Sequence, residues 1–307
     1  MKITFLGTSA GLPTKERNTQ TTVLDLNPLY NEYWLFDAGE AAQHRILNTS
    51  IKLGKLTTIF ITHLHGDHIF GLPGLLTSRS FQGGEGKPLI VIGPKGIKLF
   101  IETTLTVSAS HLNYPLDVIE IDGDDQLSVH DVTITAGALN HGIPSFGYRL
   151  QFPDKEGSLL QHKLIALGIE PGPIYKQFKA AEIVEYGGQK LQTSHFKGPS
   201  EPGKVVTFFG DTMRAFNENV LAQDADVIIH ESTYLDGDHD LSHKYFHSHI
   251  DDLIQLAESS AVKMTLINHV SNRYTKEQIE VLTAKIRSEH PDFNFQITED
   301  YMTYDIE

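Results

Sequence analysis

Short apolar runs broken by polar turns dominate the first half of the chain, and the pattern predicts alternating strands and helices. Strands are expected at 2–6, 21–25, 33–37, 57–62, 89–93, 118–121, 129–136 and 146–152, where β-branched and aromatic residues cluster. Segment 39–48 has helical spacing, with Ala41, Ala42, Ile46 and Leu47 on one side, and 96–106 is a second helix after Gly93-Pro94-Lys95. In the second half, strands at 205–209, 226–229 and 264–268 alternate with helices at 250–259 and 275–289. From 153 to 202 the pattern changes. Pro171-Gly172-Pro173, Gly187-Gly188 and Gly198-Pro199 interrupt it and no apolar run is sustained. Long structureless loops are uncommon inside compact domains and usually functional, so this stretch reads as an inserted arm or flap.

Both halves repeat one layout: apolar strand, polar residue at its C-terminal end, then helix. Two such halves stacked sheet to sheet predict an α/β, four-layer αββα sandwich, with the polar strand ends along one edge. Sites at strand C-termini are the usual arrangement in such folds.

Those strand ends carry the chemistry. His63-Leu64-His65-Gly66-Asp67-His68 places four potential metal ligands in six residues after the run 57–62. Imidazole suits zinc, and a carboxylate can join or bridge. If the strand continues, alternation turns His63, His65 and Asp67 one way, and His68 can reach a second position, which suits two metals. A bland alternative exists, because the chain has 16 histidines. Their crowding at one strand end, where unpaired polar groups are costly, favours the metal. His141, Asp211 and His269 sit in matching contexts. The simplest allocation gives one metal His63, His65 and His141, and the second Asp67, His68 and His269, with Asp211 bridging. A water or hydroxide shared by two metals attacks a phosphodiester well. Taken singly, Asp211 could be a helix N-cap and His269 a core histidine. His247, in Phe246-His247-Ser248-His249, reads as a proton donor to the leaving oxygen, with Glu231 orienting it. The plainer alternative there is a cap role for Ser248 before helix 250–259. Asp37, His230 and Thr233 are supporting candidates.

Composition narrows the partners. At 307 residues, 40% apolar and 21% charged, the chain has the make-up of a globular protein, as one large domain or two ordinary ones. No apolar run approaches a membrane span, and residues 1–7 read as a strand rather than a signal peptide, so no membrane partner and a cytoplasmic location are expected. With no cysteine, metal binding rests on histidine and carboxylate. The net charge of −14 argues mildly against nucleic acid, although a dimetal site is itself a strong local positive charge.

The ligand set resembles the metallo-β-lactamase superfamily, and further segments resemble one family within it, ribonuclease Z, the tRNA 3′-processing endonucleases. They are Phe5-Leu6-Gly7-Thr8-Ser9-Ala10-Gly11, Pro13-Thr14-Lys15-Glu16-Arg17-Asn18, Leu35-Phe36-Asp37-Ala38-Gly39-Glu40, Gly71-Leu72-Pro73-Gly74-Leu75-Leu76, Ser78-Arg79-Ser80-Phe81-Gln82-Gly83-Gly84, Tyr114-Pro115-Leu116, Pro171-Gly172-Pro173, Phe209-Gly210-Asp211-Thr212 and His230-Glu231-Ser232-Thr233. The resemblance implies a single metallo-β-lactamase-fold domain over 1–307, two zinc ions per subunit, a homodimer, and endonucleolytic removal of the 3′ trailer from precursor tRNA. Attack after the discriminator nucleotide would leave a tRNA 3′-hydroxyl and a trailer 5′-phosphate. Asp67 would also hold or deprotonate the attacking water. The insertion at 153–202 would be a protruding arm that grips the tRNA body, its phosphate contacts coming from Lys163, Lys176, Lys179, Lys190 and Lys197. Lys15, Arg17 and Asn18 would read the 3′ end near the cut, and DNA is not an expected partner. Two positions depart from the family: Ser232, where Ala is frequent, and His249, where Thr is frequent. The second places another histidine beside His247 as a competing proton donor. A small-molecule hydrolase of the same superfamily (a phosphodiesterase, arylsulfatase or lactonase) and a non-catalytic RNA-binding scaffold are the alternatives. The arm and the 15–18 loop speak against the first, and the complete ligand set against the second.

Overall fold

Alternation along the apolar runs gives the strands two buried faces, and the structure uses both. The computed structural model describes all 307 residues. Its first nine strands are β1 (Lys2–Gly7), β2 (Thr21–Asp25), β3 (Tyr33–Phe36), β4 (Leu56–Phe60), β5 (Leu89–Pro94), β6 (Leu116–Ile121), β7 (Asp125–Val129), β8 (Val132–Ala138) and β9 (Phe146–Gln151). There follow β10 (Ile183–Tyr186), β11 (Gln189–Gln192), β12 (Val205–Phe208), β13 (Val227–Glu231), β14 (Thr265–Asn268), β15 (Phe295–Ile297) and β16 (Thr303–Asp305). Two units divide the chain: a larger one of 1–129, 133–150 and 205–307, and a smaller one of 130–132 and 151–204.

In the larger unit two seven-stranded sheets run β16-β1-β2-β3-β4-β5-β6 and β15-β14-β13-β12-β9-β8-β7. In the first, β3 to β6 are parallel and β1, β2 and β16 are joined antiparallel. Strands β12 to β15 of the second are parallel. The inner faces meet through aromatics. Phe36 stacks on Phe208 with ring centres 3.5 Å apart, and Tyr148 lies 5.2 Å from Phe60. The Tyr148 hydroxyl donates to the Ile61 carbonyl at 2.7 Å, satisfying the one polar atom such a ring brings inside. The outer face of the first sheet, with Leu6, Val23, Leu35, Ile59 and Val91, packs on helices Ala42–Leu47, Leu72–Phe81 and Ile97–Val107. The other outer face, with Val205, Ile228, Ile267 and Phe295, packs on helices Phe216–Ala222, Ile250–Ser259 and Lys276–Glu289. The expected four-layer αββα sandwich is therefore the architecture. Strands covered on both faces read as continuous apolar runs, which is why the sequence pattern marked them.

One local expectation fails. The 57–62 run ends as a strand at Phe60, and His63-Leu64-His65 is extended chain outside the sheet. The Thr62 amide donates to the Asp37 carboxylate at 2.8 Å instead of to a neighbouring strand. Asp67 and His68 then lie in a one-turn helix, Gly66–Ile69, so strand alternation does not carry Asp67 to the side of His63 and His65.

The smaller unit has its own order. Helices Gln161–Ile165 and Ile174–Ala180 accompany the β10–β11 hairpin, whose turn is Gly187-Gly188. Both glycines have positive φ, 59° and 78°, as a tight two-residue hairpin turn requires. Leu164, Ile169, Phe178, Val184 and Phe196 form a separate small core. Within this unit Lys176, Lys179 and Lys197 border a cavity of about 420 Å³.

Candidate metal centre

Five loops from strand ends converge at one edge of the larger unit. They follow β3 (Asp37), β4 (His63 to His68), β8 (His141), β12 (Asp211) and β14 (His269). His63 Nε2 and His141 Nε2 lie 3.1 and 3.2 Å from His65 Nδ1. His269 Nε2 lies 3.4 Å from His68 Nε2 and 3.3 Å from Asp67 Oδ2. Asp211 Oδ2 stands between the two sets, 3.6 Å from His63, 3.5 Å from His68 and 3.3 Å from His269. The seven expected ligands thus meet in the two groups read from the sequence, with Asp211 central.

The groups fit a pair of cations. Four ligands around a zinc at about 2.0–2.1 Å stand about 3.3 Å apart, which is the spacing here. The outer hydrogen bonds fix the rings accordingly. His68 Nδ1 donates to Asp37 Oδ2 at 2.8 Å, and His141 Nδ1 to the Phe246 carbonyl at 2.8 Å. Those partners only accept, so the proton sits on Nδ1 and the Nε2 lone pair faces inward. His63 and His269 direct Nδ1 at Thr62 Oγ1 (3.1 Å) and Thr233 Oγ1 (3.0 Å). Asp37 and His269 hold left-handed backbone, φ 57° and 53°, an unfavourable conformation kept where the surroundings dictate it.

Electrostatics point the same way. Burial drives the His63 imidazole well below its ordinary range, helped by His68. Burial would lower His68 too, but the negative charges of Asp211, Asp37 and Asp67 outweigh it and raise its pKa well above the ordinary value, the field that a cation would also meet here. Burial would raise Asp211, yet His269, His68 and His63 keep it ionised, and Asp67 is held down similarly by His68 and His269.

His247, the proton donor expected from the sequence, and its competitor His249 stand in different surroundings. His247 Nδ1 lies 3.0 Å from Glu231 Oε1, 3.3 Å from Thr233 Oγ1 and 3.9 Å from Asp211 Oδ2. Burial lowers its pKa, but Glu231 outweighs this and lifts it to about 9. Glu231 also accepts from the amides of Thr212 (3.1 Å), Thr233 (2.9 Å) and Ser248 (3.0 Å). His249 is the N-cap of helix Ile250–Ser259, accepting from the Asp251 amide at 3.2 Å. Ser248 is therefore not the cap; its hydroxyl donates to the Thr212 carbonyl at 2.7 Å. Of the supporting candidates, Asp37 and Thr233 touch ligands, whereas His230 turns away to Glu218 at 3.1 Å.

The 15–18 loop divides as well. Lys15 is exposed. Arg17 donates to Thr8 Oγ1 (2.8 Å) and the Thr298 carbonyl (2.6 Å), and Asn18 Nδ2 to the Glu40 carbonyl (2.6 Å). Those two side chains brace the loop that carries Gly11, whose amide donates to Asp67 Oδ2 at 2.9 Å. Lys176 and Lys179 are exposed in the smaller unit, whereas Lys163 and Lys197 are engaged by the His195 carbonyl and by Glu156.

Comparison with known proteins agrees with this centre. Residues 1–156 match, and belong to, the family described as Anti-Pycsar protein Apyc1; that stretch holds the His63–His68 motif and His141 but stops before Asp211. Ribonuclease Z of Macrococcus caseolyticus (strain JCSC5402) is 62% identical over 307 residues, the full length of both chains. Ribonuclease Z of Staphylococcus aureus (strain Newman) is 54% identical over 299 residues, 96% of this chain and 97% of that one. The crystal structure of human tRNase Z, short form, superposes over all of both chains with a TM-score of 0.71 at 26% identity. Full-length identity at this level, over a sandwich whose strand ends gather five histidines and two aspartates, means that the chain belongs to the ribonuclease Z family.

Proposed function

We propose that the chain is a metal-dependent endoribonuclease that removes the 3′ trailer from precursor tRNA, cutting after the discriminator nucleotide to leave a tRNA 3′-hydroxyl and a trailer 5′-phosphate. The observation that carries this is the Asp211-centred cluster, in a chain 62% identical end to end to a ribonuclease Z. Two zinc ions per chain are the proposed cofactor, held by His63, His65 and His141 and by Asp67, His68 and His269, with Asp211 between. When bound, such ions lower the pKa of a coordinated water and neutralise charge on the phosphoryl group.

The protein's own groups do the rest. Asp67 Oδ2, steadied by the Gly11 amide, receives the proton of the attacking water. Glu231 grips His247 by Nδ1, so Nε2 is the end that delivers a proton to the leaving oxygen. Lys15 meets the RNA near the cut, while Arg17 and Asn18 keep its loop in shape. The 153–202 segment acts as the tRNA-binding arm, with Lys176 and Lys179 on phosphates. Phe81, Leu99 and Val107, exposed on helices Leu72–Phe81 and Ile97–Val107, support a homodimer; a monomer by light scattering at micromolar concentration would refute it. No helix is long and apolar enough to cross a membrane, and a cytoplasmic location is part of the proposal.

The test is cleavage of a defined precursor tRNA with both new ends mapped, before and after chelation. One cut after the discriminator, abolished by chelator and restored by zinc, is expected; an unchanged rate in chelator or scattered ends would overturn the reading. DNA of the same sequence should remain uncut. Hydrolysis of bis(p-nitrophenyl) phosphate without any cut in precursor tRNA would favour a small-substrate hydrolase instead.

A further inference from the structure

The segment 63–70 is sorted by exposure. His63, His68 and Ile69 are buried, Gly66 and Asp67 are half-buried, and His65 and Phe70 face solvent. Phe70 follows the one-turn helix Gly66–Ile69, and its amide donates to the Gly66 carbonyl at 2.8 Å. The turn folds the Phe70 ring back over Gly66, so closely that a Cβ at residue 66 would meet three ring carbons at 2.2–2.6 Å. Only a residue without a side chain leaves that space. Gly66 lies between His65, of the first ligand set, and Asp67, of the second. The ring therefore sits at the open rim of the metal centre, against the chain that joins its two halves.

Phe70 is 60% exposed, although phenylalanine is among the residues most often buried. A single exposed apolar side chain is ordinary by itself. This one is set apart by its place between the ligand sets and by the glycine cleared beneath it. Contact with Gly66 covers part of the ring and leaves the rest open to a second flat partner. An aromatic ring and an unpaired base stack in water, and the contact needs no charge. That suits a chain of net charge −14, in which the nearby Arg17 side chain is already taken up by Thr8 and the Thr298 carbonyl.

We infer, resting on the tRNA-processing reading, that the Phe70 ring is a stacking platform for an unpaired base next to the scissile phosphodiester, the discriminator base or the first base of the trailer. Nucleotides at the cut lie beyond the paired acceptor stem, so the faces of their bases are free, and such bases are what aromatic side chains take up in RNA. Base and phosphate belong to one nucleotide. Stacking the base on a ring that touches the chain between His65 and Asp67 therefore holds the adjoining phosphate at the ligand sets. Phe70 binds and positions substrate and moves no proton. Every base has an aromatic face, so the contact sets where the strand is cut without dictating which base stands there.

The experiment is a cycle between ring and base, run with the full-length protein under single-turnover conditions at subsaturating enzyme. An ordinary precursor tRNA is compared with one lacking the discriminator base and one lacking the first trailer base, the ribose and phosphate being intact in each. Phe70→Leu keeps an apolar side chain and loses the ring, whereas Phe70→Tyr keeps the ring; circular dichroism and metal content check both. Phe70→Leu should cut the ordinary precursor about tenfold more slowly than the parent, and Phe70→Tyr within about threefold of it. One of the two abasic precursors should cost the parent about tenfold but Phe70→Leu less than about twofold, which also names the stacked base. Losses that multiply at both positions overturn the platform, as does a Phe70→Leu rate equal to the parent's or a Phe70→Tyr rate as low as that of Phe70→Leu. No cut of the ordinary precursor by the parent removes the tRNA-processing reading and the platform together, whereas a normal cut without coupling removes the platform alone.

Discussion

Replacing Glu231 by glutamine keeps the shape of the side chain and removes the charge that holds His247. The lift of His247 from 6.5 to about 9 places about 3 kcal/mol behind its imidazolium form, at about 1.4 kcal/mol per tenfold change in proton affinity. Bound dications repel that imidazolium and lower the starting value, but they act on parent and variant alike, so the difference remains. A general acid works while it holds its proton, and activity falls as pH rises through its pKa. Without Glu231 that fall comes at lower pH. The alkaline limb of the cleavage rate should move down by about two pH units, so the loss approaches about a hundredfold at pH values above the parent's own limb and vanishes at pH values well below the variant's. Glutamine still accepts at one atom but cannot accept from all three amides, which costs about 1–3 kcal/mol of stability, read separately by thermal melting. The assay is single-turnover cleavage of end-labelled precursor tRNA across that pH range. In a His247→Ala background the Glu231 change should add little, because the two act as one unit. Uniform slowing at every pH, with the alkaline limb unmoved, would refute the coupling and leave Glu231 as a scaffold carboxylate.

Asp67→Ala removes a ligand and the proposed proton acceptor together; cleavage should fall at least about a thousandfold while filter binding of precursor tRNA changes less than about threefold, and full activity would sink the mechanism. Deleting residues 158–193 should weaken precursor tRNA cleavage far more than hydrolysis of bis(p-nitrophenyl) phosphate; equal loss on both substrates would remove the arm from the account. Burial lowers His230, but Glu218 raises it above its ordinary value, so the pair stabilises the fold fully below about pH 6.5 and the benefit fades as pH climbs through the elevated folded value. Glu218→Gln should therefore lose stability mainly on the acid side of that window, by urea unfolding, and an equal loss at high pH would contradict the assignment.

The parts legible in the sequence share a cause. Parallel strands buried on both faces leave unbroken apolar runs, and loops that carry ligands interrupt them abruptly with histidine or aspartate, so β4, β12 and β14 declared themselves together with His63, Asp211 and His269. Where local pattern and tertiary demand diverged, reading failed. The apolar run before His63 continues to Ile61, but the sheet ladder stops because Asp37 captures the Thr62 amide. Strand β16 is three residues long and pairs with β1 across the whole chain, a contact no periodicity reveals. The 151–204 unit builds its core from Leu164, Ile169, Phe178, Val184 and Phe196, one residue from each short stretch, so no window of sequence displays its apolar face.

The proposed metal centre and the proposed proton donor are tied together by both main-chain and side-chain groups. His141 is aimed by the carbonyl of Phe246, the residue immediately before His247, and Phe246 itself sits in left-handed backbone at φ 58° where helix His239–Tyr245 ends. Thr233 contacts both His269 and His247, and Glu231 binds His247 and the Thr212 amide beside Asp211. Displacing the segment that carries His247 therefore turns His141, in one of the two proposed ligand sets, through Phe246, and it disturbs the other proposed set through Thr233 and His269. A substitution in this segment that touches neither substrate nor metal still acts on both sets.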